Sequence, residues 1–206
     1  WVFRYNKVDL SERGFNIFDA HGNISTVRGN VGHDIYENNF INTQARGDGQ
    51  RWHDLRGGTA HIYNNTGSGK EDRCGIAVRE EDCASGAKYR YCLYPGIDPI
   101  KDTYIWNNIY NESPMRIHTS DSNDSVSMVM EDVDWWDDYG DDDNNFTFGP
   151  TNKRPQNPKK EDCYWDTDTK ILYRSIEEGK WTKVYQEFRY PHPFRLAPPL
   201  DGLYGD

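Results

Sequence analysis

The stretch from Phe15 to Arg56 carries the residue types that proton transfer on an acidic sugar would need. Asp19 and His21 stand together in the run Asp19-Ala20-His21-Gly22, and Arg51, His53 and Arg56 follow with Asp54 among them. A guanidinium that neutralises a uronate carboxylate, a base that removes the C5 proton and an acid that protonates the leaving oxygen make a β-elimination site. Asp19, His21, Arg51, His53 and Arg56 are therefore the candidate catalytic set, if the fold gathers them on one face. The same residues have a structural use, as charge-assisted hydrogen bonds between stacked strands. Arg56 precedes Gly57-Gly58, a pair suited to a corner with positive φ. Asp34, Asp48 and Asp54 offer carboxylates for hydrolysis, but no spacing singles out a pair.

Other residues suggest ligands. Trp52, Trp106, Trp135 and Trp136 are candidate platforms for sugar rings, although aromatics on strands most often pack. Trp135 and Trp136 are adjacent, so on a strand they point to opposite faces and one is the better glycan candidate. Asp137, Asp138, Asp141 and Asp143 lie in one acidic run. A hard cation such as Ca2+ takes several carboxylate and carbonyl oxygens, and calcium is the one cofactor the sequence suggests. The run lacks the final Glu of an EF-hand, and a solvated acidic loop is the alternative. Cys74, Cys83 and Cys92 have eight residues between neighbours, and Cys163 stands apart. Zinc sites use tighter pairs, so two disulfides are expected, with three pairings open. Disulfides imply an oxidising compartment outside the cytosol.

Positioning these residues requires elements, and an internal repeat supplies them. Val2 to Asn6, Asp34 to Asn39, His61 to Asn65 and Tyr104 to Asn108 are alike, each a β-prone run ending in Asn. Aligned on Asn6, Asn38, Asn65 and Asn108, they are 32, 27 and 43 residues apart. A second series follows each: Phe15 to Asp19, Trp52 to Arg56, Gly75 to Arg79 and Met115 to His118. Stacked rungs would place like strands in register at about 4.8 Å. Ile35, Ile62 and Ile105 then form an inward column. The repeated Asn side chains stack into an amide ladder, each donating to the next carbonyl, at a corner where Asn tolerates the left-handed conformation. An antiparallel sandwich is the rival, but it gives no reason for the same residue to recur at the same corner.

The pattern changes after Ser120. Val126 to Tyr139 has the apolar residues for a short helix. Asp162 to Asp166, Lys170 to Arg174 and Lys180 to Tyr185 read as strands of a small antiparallel meander, and the Tyr190-Pro191-His192-Pro193 tail is rigid and extended. The domain reading is residues 1–120 as parallel rungs, 121–160 as an acidic and Pro-containing connection, and 161–206 as the meander and tail. A net charge of −10 argues against nucleic acid. No apolar run reaches the roughly 18 residues of a membrane span. The chain opens on Trp1-Val2-Phe3, which reads as the middle of a strand, so earlier rungs or a partner chain are expected at that open end.

Phe18-Asp19-Ala20-His21-Gly22, Ile35 to Phe40, Arg56-Gly57-Gly58-Thr59, Ile105-Trp106-Asn107-Asn108 and Tyr190 to Pro193 occur in an order that resembles the C-terminal part of secreted right-handed parallel β-helix repeat proteins of the pectate-lyase-like superfamily. The resemblance implies an all-β solenoid, secretion to the extracellular space or cell surface, and kinship with polysaccharide lyases and hydrolases. It implies no settled catalytic set. Two functions follow as expectations. One is a protein that binds, and in the lyase version cleaves, extracellular polysaccharide. The other is a non-catalytic structural or adhesive subunit whose open end meets another chain. The first requires the Arg, His and Asp residues exposed in a groove; the second requires them buried or paired.

Overall fold

The computed structural model describes residues 1–9, 16–20, 32–43, 51–69, 75–78, 100–119, 132, 135–138 and 145–188. The chain divides into two compact units, Trp1–Asn144 and Asn145–Asp206. The expected boundaries therefore move. The strand Trp135–Asp137 belongs to the first unit, and the segment around Phe146 and Pro150 belongs to the second.

The first unit is all strand among its described residues. Its strands are β1 (Val2–Arg4), β2 (Lys7–Asp9), β3 (Asn16–Ala20), β4 (His33–Tyr36), β5 (Asn39–Thr43), β6 (Arg51–Leu55), β7 (Ala60–Tyr63), β8 (Thr66–Gly69), β9 (Gly75–Val78), β10 (Thr103–Trp106), β11 (Ile109–Tyr110), β12 (Ser113–Pro114), β13 (Arg116–Thr119) and β14 (Trp135–Asp137). They form three sheets, ordered β1-β4-β7-β10-β14, β12-β11-β8-β5-β2 and β13-β9-β6-β3. The chain visits the three in rotation, so each pass adds one strand to each sheet. Neighbours are parallel except β11 and β12, a short antiparallel pair that ends its sheet. The two repeat series read in the sequence are the first and third sheets. The second sheet, directly after each Asn, went unread because its strands are short and polar: Lys7–Asp9 and Thr66–Gly69 show no apolar alternation.

Register follows the repeat. Phe3, Ile35, Ile62 and Ile105 are aligned on successive strands. The isoleucines enter one core with Phe40 and Tyr110 of the second sheet and Leu55, Ile76 and Val78 of the third. The expected Asn ladder is present. Asn6 Nδ2 donates to Asn38 Oδ1 at 3.0 Å, Asn38 Nδ2 to Asn65 Oδ1 at 2.9 Å, and Asn65 Nδ2 to Asn108 Oδ1 at 2.9 Å. Each Oδ1 also receives the backbone N–H of the Asn before it, at 3.0, 3.2 and 3.3 Å. The left-handed residue of the corner is not the ladder Asn but its predecessor: Tyr5, Glu37, Asn64 and Asn107 have φ of 57°, 54°, 53° and 50°. The ladder amides hold the corner firmly enough for Tyr and Glu to bear a conformation that costs about 1–2 kcal/mol per residue.

The short helix expected within Val126 to Tyr139 is corrected where it can be seen. Trp135–Asp137 is a parallel strand against β10, whose partners supply hydrogen bonds an isolated helix would have to find within itself. No helix is long and apolar enough to cross a membrane among the described residues.

The second unit contains β15 (Phe146–Gly149), a 3-10 turn at Thr151–Lys153, β16 (Cys163–Asp166), β17 (Ile171–Glu177) and β18 (Lys180–Gln186), in the order β15-β16-β17-β18. The last three form the expected antiparallel meander, and β15 adds an unexpected parallel edge. Buried Asp166 organises its turns. Its carboxylate accepts from Thr151 Oγ1 at 2.8 Å and from the N–H groups of Asp168 and Thr169 at 3.1 and 3.0 Å. Burial pushes this carboxyl up, and the hydrogen bonds outweigh it and hold it below the ordinary carboxylate value.

Asn65 is fully buried and links Asn38, Ile35 and Asn108. Replacing it leaves those partners one hydrogen bond short inside the core. Asn65→Ala should cost about 3 kcal/mol in urea denaturation, against about 1 kcal/mol for Asn6→Ala at the half-exposed end. Equal losses would mean that the ladder's interior contributes no more to stability than its end.

Candidate functional site

The third sheet brings part of the candidate catalytic set together. Asp19 of β3 is in register with Asp54 of β6, on one side of the sheet. Arg56 answers both: its Nη2 contacts the Asp19 carboxylate and its Nε lies 3.5 Å from Asp54 Oδ2. Asp54 is buried, and the Arg56 side chain is only 12% exposed. Two carboxylates stacked on adjacent strands repel, and the guanidinium beside them relieves that repulsion. Arg56 is thus already engaged by two acids and is not an open subsite for a uronate. Arg51 lies on β6 opposite Asn16, and its side chain is outside the described residues, as is His21.

His53 does not join this group. It alternates with Asp54 to the other face of β6 and is fully buried in register with Phe18 and Ile76. Its ring stacks on Phe18 at 4.7 Å, and neither ring nitrogen has a hydrogen-bond partner among the described residues. Burial pushes it well below its ordinary pKa of 6.5, with His33 adding a smaller push in the same direction. An imidazole enclosed in this way cannot meet a substrate, so the expected catalytic role of His53 is withdrawn.

The four candidate sugar platforms are corrected for the same reason. Trp52, Trp106, Trp135 and Trp136 are all buried. Trp52 fills the core against Phe40 at 4.6 Å and Tyr110 at 5.8 Å. Trp106 ends a column in which it stacks on Tyr63 at 4.2 Å and Tyr63 on Tyr36 at 4.6 Å, with interplanar angles of 4° and 6°. Arg4 Nη1 donates to the Tyr36 hydroxyl at 2.7 Å at the column's other end. Trp135 is in register with Thr103 and joins the core, while Trp136 stacks on Tyr104 at 5.0 Å on the opposite side. Both faces of β14 are covered, so the adjacent pair offers no exposed ring. A glycan platform needs an open face, and these rings lend theirs to other rings.

Of the acidic run, Asp137 is buried on β14 in register with Ile105. Asp138 Oδ2 accepts the Asn107 N–H at 2.7 Å, capping a left-handed corner. Burial pushes the Asp138 carboxyl up, against the lowering effect of that hydrogen bond. Asp138 is thus engaged at that corner, and Asp137 is enclosed on its strand. Asp141 and Asp143 lie outside the described residues. No group of three or more potential ligands that could hold a metal occurs among the described residues. Cys74, Cys83 and Cys92 are outside them too, and Cys163 is buried on β16 with Sγ 3.7 Å from the Glu161 carbonyl oxygen.

Two features escaped the sequence reading. Asp34, His61 and Tyr104 share one register position, where His61 Nδ1 sits 2.8 Å from Asp34 Oδ1 and parallel to the Tyr104 ring. This pair was legible, since aligning the repeats on Asn already places the three residues together. His33 is the second: it is buried, beneath the Trp1 ring at 5.3 Å, with neither nitrogen hydrogen-bonded among the described residues. Comparison with known proteins finds no matching family model, no similar curated protein and no similar solved structure.

The position of Trp52 depends on a glycine. A Cβ at Gly67 would lie 1.8 Å from the indole ring. Gly67→Ala should therefore destabilise the first unit by roughly 2–3 kcal/mol, and Trp52→Leu in the same chain should recover part of that loss. Additive losses in thermal denaturation would show that the two positions do not share this space.

Proposed function

We propose that this chain is part of a right-handed parallel β-helix of the pectate-lyase-like kind, serving as a non-catalytic structural or adhesive subunit of an extracellular assembly. Support for the coil comes from rotation through three parallel sheets, with a ladder at one corner and a core fed from all three. Right-handedness is the rule for parallel crossovers. The observation that carries the function is the internal use of the chemistry-bearing side chains. Among the described residues, Arg56 is engaged by Asp19 and Asp54, His53 is enclosed without a polar partner, and the four tryptophans face other side chains.

Two measurements test this. The chain incubated with polygalacturonate and with alginate should release no unsaturated product detectable by ultraviolet absorbance. Arg56→Ala should lower stability by about 3 kcal/mol, because Asp54 stays buried without its guanidinium. Release of unsaturated oligosaccharides, abolished by Arg56→Ala with the melting temperature unchanged, would overturn the structural reading in favour of a lyase.

A further inference from the structure

In the second unit, residues 150–160 form a strap across one face of the sheet, and the strap is pinned at its three prolines. The Pro150 carbonyl accepts the Tyr164 hydroxyl at 2.9 Å, the Pro155 carbonyl accepts Trp181 Nε1 at 2.7 Å, and the Pro158 carbonyl accepts the Gly179 N–H at 2.8 Å. Those partners lie on β16, on β18 and in the turn between β17 and β18. Over β17, the Arg154 guanidinium sits 4.0 Å from the centre of the Tyr173 ring. Tyr173 is in register with Tyr164 on one side and Lys183 on the other, so Lys183 shares the face that the strap crosses. Tyr173 and Trp181 are half-buried, unlike the four tryptophans of the first unit.

The strap carries Lys153, Arg154, Lys159 and Lys160 and no acid, in a chain of net charge −10. The carboxylates beside it are taken up by the fold. Asp166 accepts from Thr151 and two turn amides, Asp168 accepts the Thr151 N–H at 3.0 Å, and Asp162 accepts the Lys159 N–H at 2.7 Å. Arg154 Nη1 lies 3.9 Å from Asp166 Oδ2, beyond hydrogen-bond reach, and has no hydrogen-bond partner among the described residues. Lys160 has Glu161 at 3.9 Å, so it contributes less. Lys153 and Lys183 are exposed, and Lys183 Nζ donates to the neutral amide of Gln186. Cations and half-open aromatic rings thus share one rigid surface.

We propose that Lys153 and Arg154 of the strap, with Tyr173, Trp181 and Lys183 beside them, form a binding site for a polyuronate chain. A uronate residue has an apolar C–H face and a single carboxylate. The first suits the half-open rings of Trp181 and Tyr173, and the second suits the guanidinium and the two ammonium groups. Stacking on Tyr173 fixes the plane of the Arg154 fork, so little freedom is lost when a carboxylate meets it. One charge per sugar also suits an acidic protein. A polysulfate or a nucleic acid carries more charge per unit length and meets more repulsion from the net −10. This names a partner for the adhesive role proposed above, and it rests on that role only in holding that the glycan is bound and not cut.

Isothermal titration calorimetry of the full chain with polygalacturonate tests this at about 50 mM and about 300 mM salt. Binding should be measurable at the lower salt and weaken by about tenfold at the higher. The double variant Lys153→Gln, Lys183→Gln should bind about tenfold more weakly with its melting temperature unchanged, since both side chains are exposed. Lys7→Gln with Lys101→Gln makes the same change of charge at exposed positions of the first unit and should leave binding as it was. No binding at about 50 mM salt, an equal loss in the Lys7 and Lys101 variant, or equal affinity for dextran sulfate or single-stranded nucleic acid overturns the site. The two readings fail separately. Polygalacturonate bound here and also cleaved would overturn only the non-catalytic role, and polygalacturonate neither bound nor cleaved would overturn only this site.

Discussion

At one corner of the first unit, the side-chain amides of Asn38 and Asn65 each accept two hydrogen bonds from the Asn before and donate to the Asn after. A carboxamide accepts on its oxygen and donates from its nitrogen, so it bridges two neighbours, and its oxygen also receives the backbone N–H that the turn would otherwise leave unmade. Once Asn6, Asn38, Asn65 and Asn108 are aligned, nothing else about the register is free. Ile must fall on Ile, Tyr on Tyr, and Asp19 on Asp54. A slip of one residue would turn the isoleucine column outward and the tyrosine column into the core. The insertions between passes can therefore vary while the stacking does not, which is why repeats 27 and 43 residues apart share one register.

Stacking in register has a chemical consequence. A side chain on one strand meets the corresponding side chain of the next, so like charges are forced together unless a counter-charge intervenes. Arg56 performs that service for Asp19 and Asp54. Aromatic rings suffer no such penalty, and on the first sheet they line up as Tyr36-Tyr63-Trp106 and His61-Tyr104-Trp136. Residues that look available for catalysis or sugar stacking in a linear sequence are therefore the ones a parallel stack recruits for its own cohesion.

That explains which parts of the protein were legible. The Asn corner and the isoleucine column were readable because both repeat. The meander from Cys163 to Gln186 was readable because alternating apolar strands flank turn residues. The second sheet was not, since strands such as Lys7–Asp9 put a single apolar residue, Val8, against the core and are otherwise fixed by ladder hydrogen bonds to neighbours. Trp135 and Trp136 misled for a related reason: alternation correctly sent them to opposite faces, but both faces of β14 are packed. His53 misled because proximity in sequence to Asp54 and Arg56 hides the alternation that separates it from them.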